Sequence, residues 1–545
     1  MSLLDAILLD PVRINTWFAV RTDGNRGSGT QSDPYNSMVC DEVMASLSSK
    51  PPVCIHLGPG GFNTAGYYEG TSVGWQPHPG MKIVGSGIDV TTLKVTGAQD
   101  PGSGTRHYWA IGHDLGSGGS SLDFFEVSDL TIDCDLANQG SSAIAIGGVR
   151  VLGSFARVRR VKVVNWGTRS SNLTCLVLAM ITADPDVSTD ETKGMSIEEC
   201  ILIDPYEGLA PLPTNPGMVN VLHVGLKADP AANFEGEGIA PVIRNCYVDC
   251  GKFATLNPAK NPLDFDIRAL VMGACQGGVV EGNEIHHVRI GGPYAEKSTI
   301  ASIIVRDNSY HNVRTGIILM DGQKSGTTIV LNSLVFTSSG NGYEVTATTS
   351  SDHNLKLGER VELVCSPSSL DGLFRVTEIV DQTNFKYFSP GPTASLTSGT
   401  LEKVFGTGKV IVEANAMQLG NESDGDVAVQ IDDDALASQT PDHVHGEVII
   451  RQNAVSYVDE VFDGGYTGIG IHVRGAKNLN VQNNVVDVQP ANPLQDLRCG
   501  SVKYFNNQKP DGTLIRGYKD DTDQLYNELE TDAEDALVLA LFNRR

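Results

Sequence analysis

Ile243-Arg-Asn-Cys246, Val280-Glu-Gly-Asn283 and Val305-Arg-Asp-Asn308 are copies of one phrase: an apolar residue, two variable residues, then Asn or Cys. The phrase returns as Ile329-Val-Leu-Asn332, Val412-Glu-Ala-Asn415, Ile450-Arg-Gln-Asn453, Val481-Gln-Asn-Asn484 and Tyr504-Phe-Asn-Asn507. An outlying copy stands at Ile197-Glu-Glu-Cys200. A phrase that recurs every few dozen residues marks a solenoid, in which each coil contacts only its neighbours.

In a parallel stack the apolar residue points inward and joins a column of Val and Ile. An Asn at the turn tolerates the left-handed backbone region. Stacked Asn side chains can also hydrogen-bond along the axis, as in other in-register stacks. The expected structural ladder is therefore Cys200, Cys246, Asn283, Asn308, Asn332, Asn415, Asn453, Asn484 and Asn507. A leucine-rich horseshoe also ends its phrase in Asn or Cys, but it needs dense Leu columns and a short regular repeat. Irregular coil lengths fit a β-helix with variable loops.

The composition agrees. Gly numbers 59 and aromatics make up only 6%, which suits short strands and turns better than a helical bundle. The formal charge of −25 disfavours a nucleic-acid or anionic-membrane partner, since both need a positive field. No run of about 18 apolar residues occurs, so no membrane span is expected. The opening Met1-Ser-Leu-Leu-Asp-Ala-Ile-Leu-Leu-Asp10 has no basic start and reads as no secretory signal, so synthesis in the cytoplasm is expected. Ten Cys occur without a Cys-x-x-Cys pair, so zinc-ribbon spacing is missing.

Val53-Cys-Ile-His-Leu57 alternates as a strand and stops at Gly58-Pro-Gly-Gly61, followed by Met81-Lys-Ile-Val-Gly-Ser-Gly87 and Thr91-Thr-Leu-Lys-Val95. These segments, with Thr22-Asp-Gly-Asn-Arg-Gly-Ser-Gly-Thr30 upstream, resemble the opening coils of the pectate-lyase-like superfamily. That resemblance implies an all-β, single-stranded, right-handed parallel β-helix.

Two helices are expected at its ends. Leu3, Leu4, Ile7 and Leu8 share a helical stripe, so 1–20 reads as a capping helix and strand; 516–545 reads as an amphipathic helix on Leu525, Leu529, Ala533, Leu537 and Leu541. The phrase intervals from Cys246 onward are 37, 25, 24, 83, 38, 31 and 23, and the long one leaves room for an inserted domain. Tyr343–Thr349, Arg360–Val364, Asp371–Thr377 and Asn384–Phe388 read there as four short strands. They resemble a small all-β module common in phage tail proteins. The expected domains are thus β-helix over 21–335, insert over 336–405 and β-helix again over 406–515.

The sequence offers little catalytic signal. Asn-Thr-Asp, Gly-His-Gly and Arg-Ile-Lys, which galacturonan hydrolases share, do not occur. Asp133, Asp135 and Asp249 with Arg244 could supply carboxylates and a cation, as could many acidic chains. His443 and His445 could share a strand face without a third ligand. No catalytic residue is assigned. Asp184, Asp186, Ser188 and Asp190 place oxygens at alternate positions, as calcium loops do, though a solvated acidic loop looks the same. No cofactor is expected beyond structural Ca²⁺ there.

The expected function is a non-catalytic structural or glycan-binding protein of a phage tail or similar extracellular assembly, homo-oligomeric, with a glycan or cell-surface receptor as partner. The alternatives are a polysaccharide lyase or glycoside hydrolase acting on an acidic glycan, and a bacterial surface or filament protein.

Overall fold

The computed structural model describes residues 13–47, 52–68, 75–97, 107–112, 122–139, 145–151, 153–168, 175–181, 192–203, 219–225, 238–251, 267–273, 275–296, 300–320, 324–339, 342–355, 357, 359–391, 393–404, 407–420, 427–431, 445–457, 469–487, 494–497, 499, 501–515, 518–519 and 524–525. These residues are almost all β: one 26-stranded sheet, one 14-stranded sheet and a closed six-stranded barrel. The two large sheets are built by parallel pairing between strands of successive coils, which is a parallel β-helix.

Each coil has three faces. The first carries Val242–Arg244, Gly278–Glu281, Ile300–Arg306, Thr407–Glu413, His445–Arg451 and Ala476–Gln482. The second carries Tyr247–Asp249, Glu284–His286, Ser309–Val313, Ala416–Leu419 and Ala454–Tyr457. The third, in the smaller sheet, carries Ile267–Met272, Tyr294–Glu296, Thr315–Met320, Val427–Ile431 and Ile469–Arg474.

The apolar residue of the phrase forms an unbroken inward column. Ile197, Ile243, Val280, Val305, Val412, Ile450 and Val481 stand one above another. All seven are fully buried. Each such side chain contributes about 1.5–3 kcal/mol relative to exposure.

The third position of the phrase makes the corner between first and second faces. Glu199, Asn245, Gly282, Asp307, Ala414, Gln452, Asn483 and Asn506 all have left-handed backbone, with φ between 50 and 64°. The strain therefore falls on the residue before the ladder position, not on the Asn itself. The Asn turns inward. In Asn283, Asn308, Asn415, Asn453 and Asn484 the amide nitrogen donates to the Oδ1 of the next Asn at 2.8–2.9 Å, ending at Asn507. Cys200 and Cys246 hold the same slot below, and Asn283 Oδ1 accepts from the Cys246 N–H at 3.0 Å. Their thiols donate to Glu198 O and Arg244 O.

Asn332 is not on this ladder. Asn308 pairs directly with Asn415, skipping the insert. Asn332 sits in the 16-residue strand Lys324–Ser339 of the barrel and donates to Thr349 O. Its phrase matches because an alternating strand also spaces apolar residues. The barrel accordingly begins at Lys324 rather than at 336, and closes through Gly342–Thr349, Arg360–Ser366, Gly372–Ile379, Asn384–Ser389 and Ser398–Val404. Its separate core is centred on Val345, Val361, Leu363, Phe385 and Tyr387.

The termini need one correction. Gln524–Leu525 pairs antiparallel with Tyr518–Lys519, so the C-terminal helix expected from 516 does not start there. The rest of that helix, and the N-terminal stripe at Leu3 to Leu8, lie outside the described residues. The described N-terminal cap is a strand, Ile14–Ala19, and a helix, Cys40–Leu47.

Outside the first face runs an alternating charge column: Arg159, Glu198, Arg244, Glu281, Arg306, Glu413 and Arg451, one per coil. Arg244 meets Glu198 and Arg306 meets Glu281, each at 2.7 Å. Shifting a strand to the next coil would set like charges opposite, so the column favours the observed register. Arg244→Glu puts carboxylates in three successive coils. Urea unfolding should show a loss on the order of 1 kcal/mol, reduced by screening at the half-exposed position 244 and shrinking further in high salt. A loss indifferent to salt would mean that the column acts through packing alone.

Candidate functional site

Counting from the ladder position exposes a second pair of columns, on the second face. The residues one step on are Tyr247, Glu284, Ser309 and Ala416; those three steps on are Asp249, His286, His311 and Gln418. The intervening Val248, Ile285, Tyr310 and Met417 are buried, so the strand period of two sends the named columns outward. Fixed strand spacing thus collects three coils' worth of polar chemistry on one strip.

Two linked groups form there. In the first, Asp249 Oδ1 lies 2.9 Å from His287 Nδ1 and accepts the Gly251 N–H at 2.7 Å, while Tyr247 Oη stands 3.5 Å from Asp249 Oδ2. His287 reaches Asp249 because its backbone is left-handed, φ 55°, at the end of Glu284–His286. Gly251 leaves the room: a Cβ there would stand 2.7 Å from His287 Nδ1. In the second group, Glu284 Oε1 meets His286 Nε2 at 2.8 Å, and Ser309 Oγ meets His311 Nε2 at 2.8 Å. The His286 and His311 rings stack at 4.5 Å and 14°. Tyr247 touches both groups, its ring 5.3 Å from that of His286.

The electrostatics assign roles. Burial pushes the Asp249 carboxyl up, but the His287 hydrogen bond, the Gly251 N–H and the neighbouring imidazoles outweigh it and hold the group below its ordinary value. An ionised Asp249 has no proton to give, so His287 Nδ1 is the donor of the pair. Burial raises the Tyr247 phenol, reinforced by the charges of Asp249 and Glu284, so it keeps its proton at neutral pH.

The strip thus holds an oriented base and a protonated acid. Arg289 and Arg314 lie just beyond, in equivalent positions of adjacent coils, since Thr315 N donates to Arg289 O and Thr315 bridges Ile290. Both are half-exposed between buried neighbours.

Of the residues weighed from sequence, only Asp249 belongs to the strip. Asp133 and Asp135 face Lys94, and Arg244 faces Glu198. His445 is fully buried against Thr407 Oγ1 at 2.9 Å, and His443 lies outside the described residues. Asp184, Asp186, Ser188 and Asp190 lie outside them too. The histidines were missed because single residues carry no motif. The available signal was alignment on the ladder, which places His three residues after Asn in two successive coils, Asn283-Glu-Ile-His286 and Asn308-Ser-Tyr-His311.

No protein-family model and no curated protein sequence matches the chain. Solved structures do. The mannuronan C-5 epimerase AlgE4 A-module of Azotobacter vinelandii is 11% identical, covering 92% of this chain and 99% of that one, with a TM-score of 0.38. DFA-IIIase from Arthrobacter chlorophenolicus A6, without its lid, is 12% identical over 94% and 100%, with a TM-score of 0.38. The catalytic domain of a GH87 α-1,3-glucanase is 10% identical over 94% and 69%, with a TM-score of 0.29. At these identities the likeness is one of fold. The expectation of a non-catalytic tail or receptor-binding protein is not upheld among these structures, since by name they are an epimerase, a DFA-IIIase and a glucanase.

Proposed function

We propose that the chain is a glycan-processing enzyme that cleaves a uronate-containing polysaccharide by elimination on the strip around Asp249. The observation that carries this is the hydrogen-bonded set Tyr247–Asp249–His287, an oriented base beside a protonated phenol on an open face. His287 Nε2 takes the proton from the carbon next to the sugar carboxylate. The electron pair forms a carbon–carbon double bond as the glycosidic C–O bond breaks, and Tyr247 protonates the departing oxygen. Arg289, two residues past His287, is assigned to the sugar carboxylate. A hydrolase fits less well, since it needs one carboxyl kept protonated, and Asp249 is held in the opposite direction.

Screening polyuronates and neutral glycans tests this. Products absorbing in the ultraviolet, from uronates alone, are expected. New reducing ends without that absorption would mean hydrolysis and would sink the assignment. Gly251→Ala gives a finer check: its methyl displaces the imidazole from Asp249, and turnover should fall about tenfold to hundredfold while the thermal midpoint holds. Unchanged turnover would show that His287 does not need that seat.

A further inference from the structure

We propose that Glu284, His286 and His311 bind one borderline divalent cation of the Zn²⁺, Co²⁺ or Ni²⁺ class. This site does not rest on the elimination chemistry above. Glu284 and His286 are two apart on one strand and share its outer face, and His311 stands over His286 in the next coil. One donor atom from each residue lies within 4.8 Å of the other two. Both Nε2 atoms are turned toward the Glu284–Ser309 rung, since His286 meets Glu284 and His311 meets Ser309 through that nitrogen. The three donors therefore converge on a single point above the sheet.

The donor set selects the ion. Two imidazoles and one carboxylate suit zinc-class cations, whereas calcium and magnesium take sets built of oxygen. Three protein ligands also leave a fourth position open to water, the usual pattern of a reactive rather than a purely structural zinc site. Metal–nitrogen bonds of about 2.0–2.1 Å require the two nitrogens to approach further than stacked rings allow, so the rings must tip toward each other. Both rings are partly exposed, the His286 side chain by 19%, which permits that movement. Ser309 Oγ now pairs with the ligating nitrogen of His311 and gives it up to the cation on binding.

The test uses the full chain, stripped with a chelator and titrated calorimetrically with Co²⁺ and, separately, Zn²⁺. One Co²⁺ per chain is expected, with the visible absorption of four-coordinate Co²⁺. His311→Ala and Glu284→Gln should each weaken binding by at least about tenfold. His56→Ala, at an imidazole stacked on Trp17 elsewhere, should bind as the parent does. Glu284→Gln preserves side-chain shape, so it keeps the test valid if a histidine variant misfolds. No binding by the parent chain, or equal binding by the His286→Ala/His311→Ala double variant, overturns the proposal. Ultraviolet assays of the stripped chain on polyuronates report on elimination separately, so either idea can fail alone.

Discussion

His287→Ala is expected to lower kcat/KM for elimination by about 10²–10⁴-fold, the range for losing a positioned general base. The fold should survive, because the ring is half-exposed and its Nδ1 partner Asp249 keeps the Gly251 N–H. His287→Gln should be as inactive, since an amide cannot take the proton. Asp249→Asn should also fall steeply: without the carboxylate, nothing fixes the imidazole through its Nδ1. Tyr247→Phe should depress the rate while leaving glycan binding in place, because it removes only the acid. Initial rates on a uronate polymer, with thermal unfolding of each variant alongside, check all four. If His287→Ala retained full activity, the catalytic base would have to lie elsewhere.

Asn415→Ala should be among the most damaging single changes in the coil stack. Asn415 is 1% exposed and sits where the chain resumes after the barrel. Its Oδ1 accepts from the Asn308 N–H and from Asn308 Nδ2. Its own Nδ2 donates to Val305 O, Glu413 O and Asn453 Oδ1. Truncation leaves several buried groups without partners, each worth about 1–3 kcal/mol, so a loss of about 3–6 kcal/mol is expected in denaturant unfolding. Asn332→Ala, whose phrase looks the same in sequence, should cost far less, because one bond to Thr349 O is at stake. Equal effects at both positions would contradict the ladder as drawn.

That contrast shows what sequence could and could not convey. The inward column and the ladder were legible because stacking in register repeats the same residue type at the same place, and repetition survives loops of any length. Asn332 misled because a local phrase says nothing about partners. An alternating barrel strand presents the same four letters, and only pairing with Thr349 against pairing with Asn308 separates them. The corner strain was also misplaced by one residue. Gly282, Asp307, Ala414 and Gln452 share no side chain, so the left-handed position has no signature of its own.

The candidate site was harder still. Tyr247, Asp249, Glu284, His286, His287 and His311 come from three coils and only become neighbours through the register of the second face. His287 joins Asp249 across 38 positions, a distance at which no motif can be defined. Alignment on the ladder would have found the columns. It would not have found Gly251, whose role is the space that it leaves.

The most direct test is the mass of the oligosaccharides released from a polyuronate in water enriched in heavy oxygen. Elimination at Tyr247, Asp249 and His287 predicts unsaturated products, each one water lighter than its saturated counterpart and free of the label, and their loss in His287→Ala. Saturated products carrying heavy oxygen, still formed by that variant, would contradict the account.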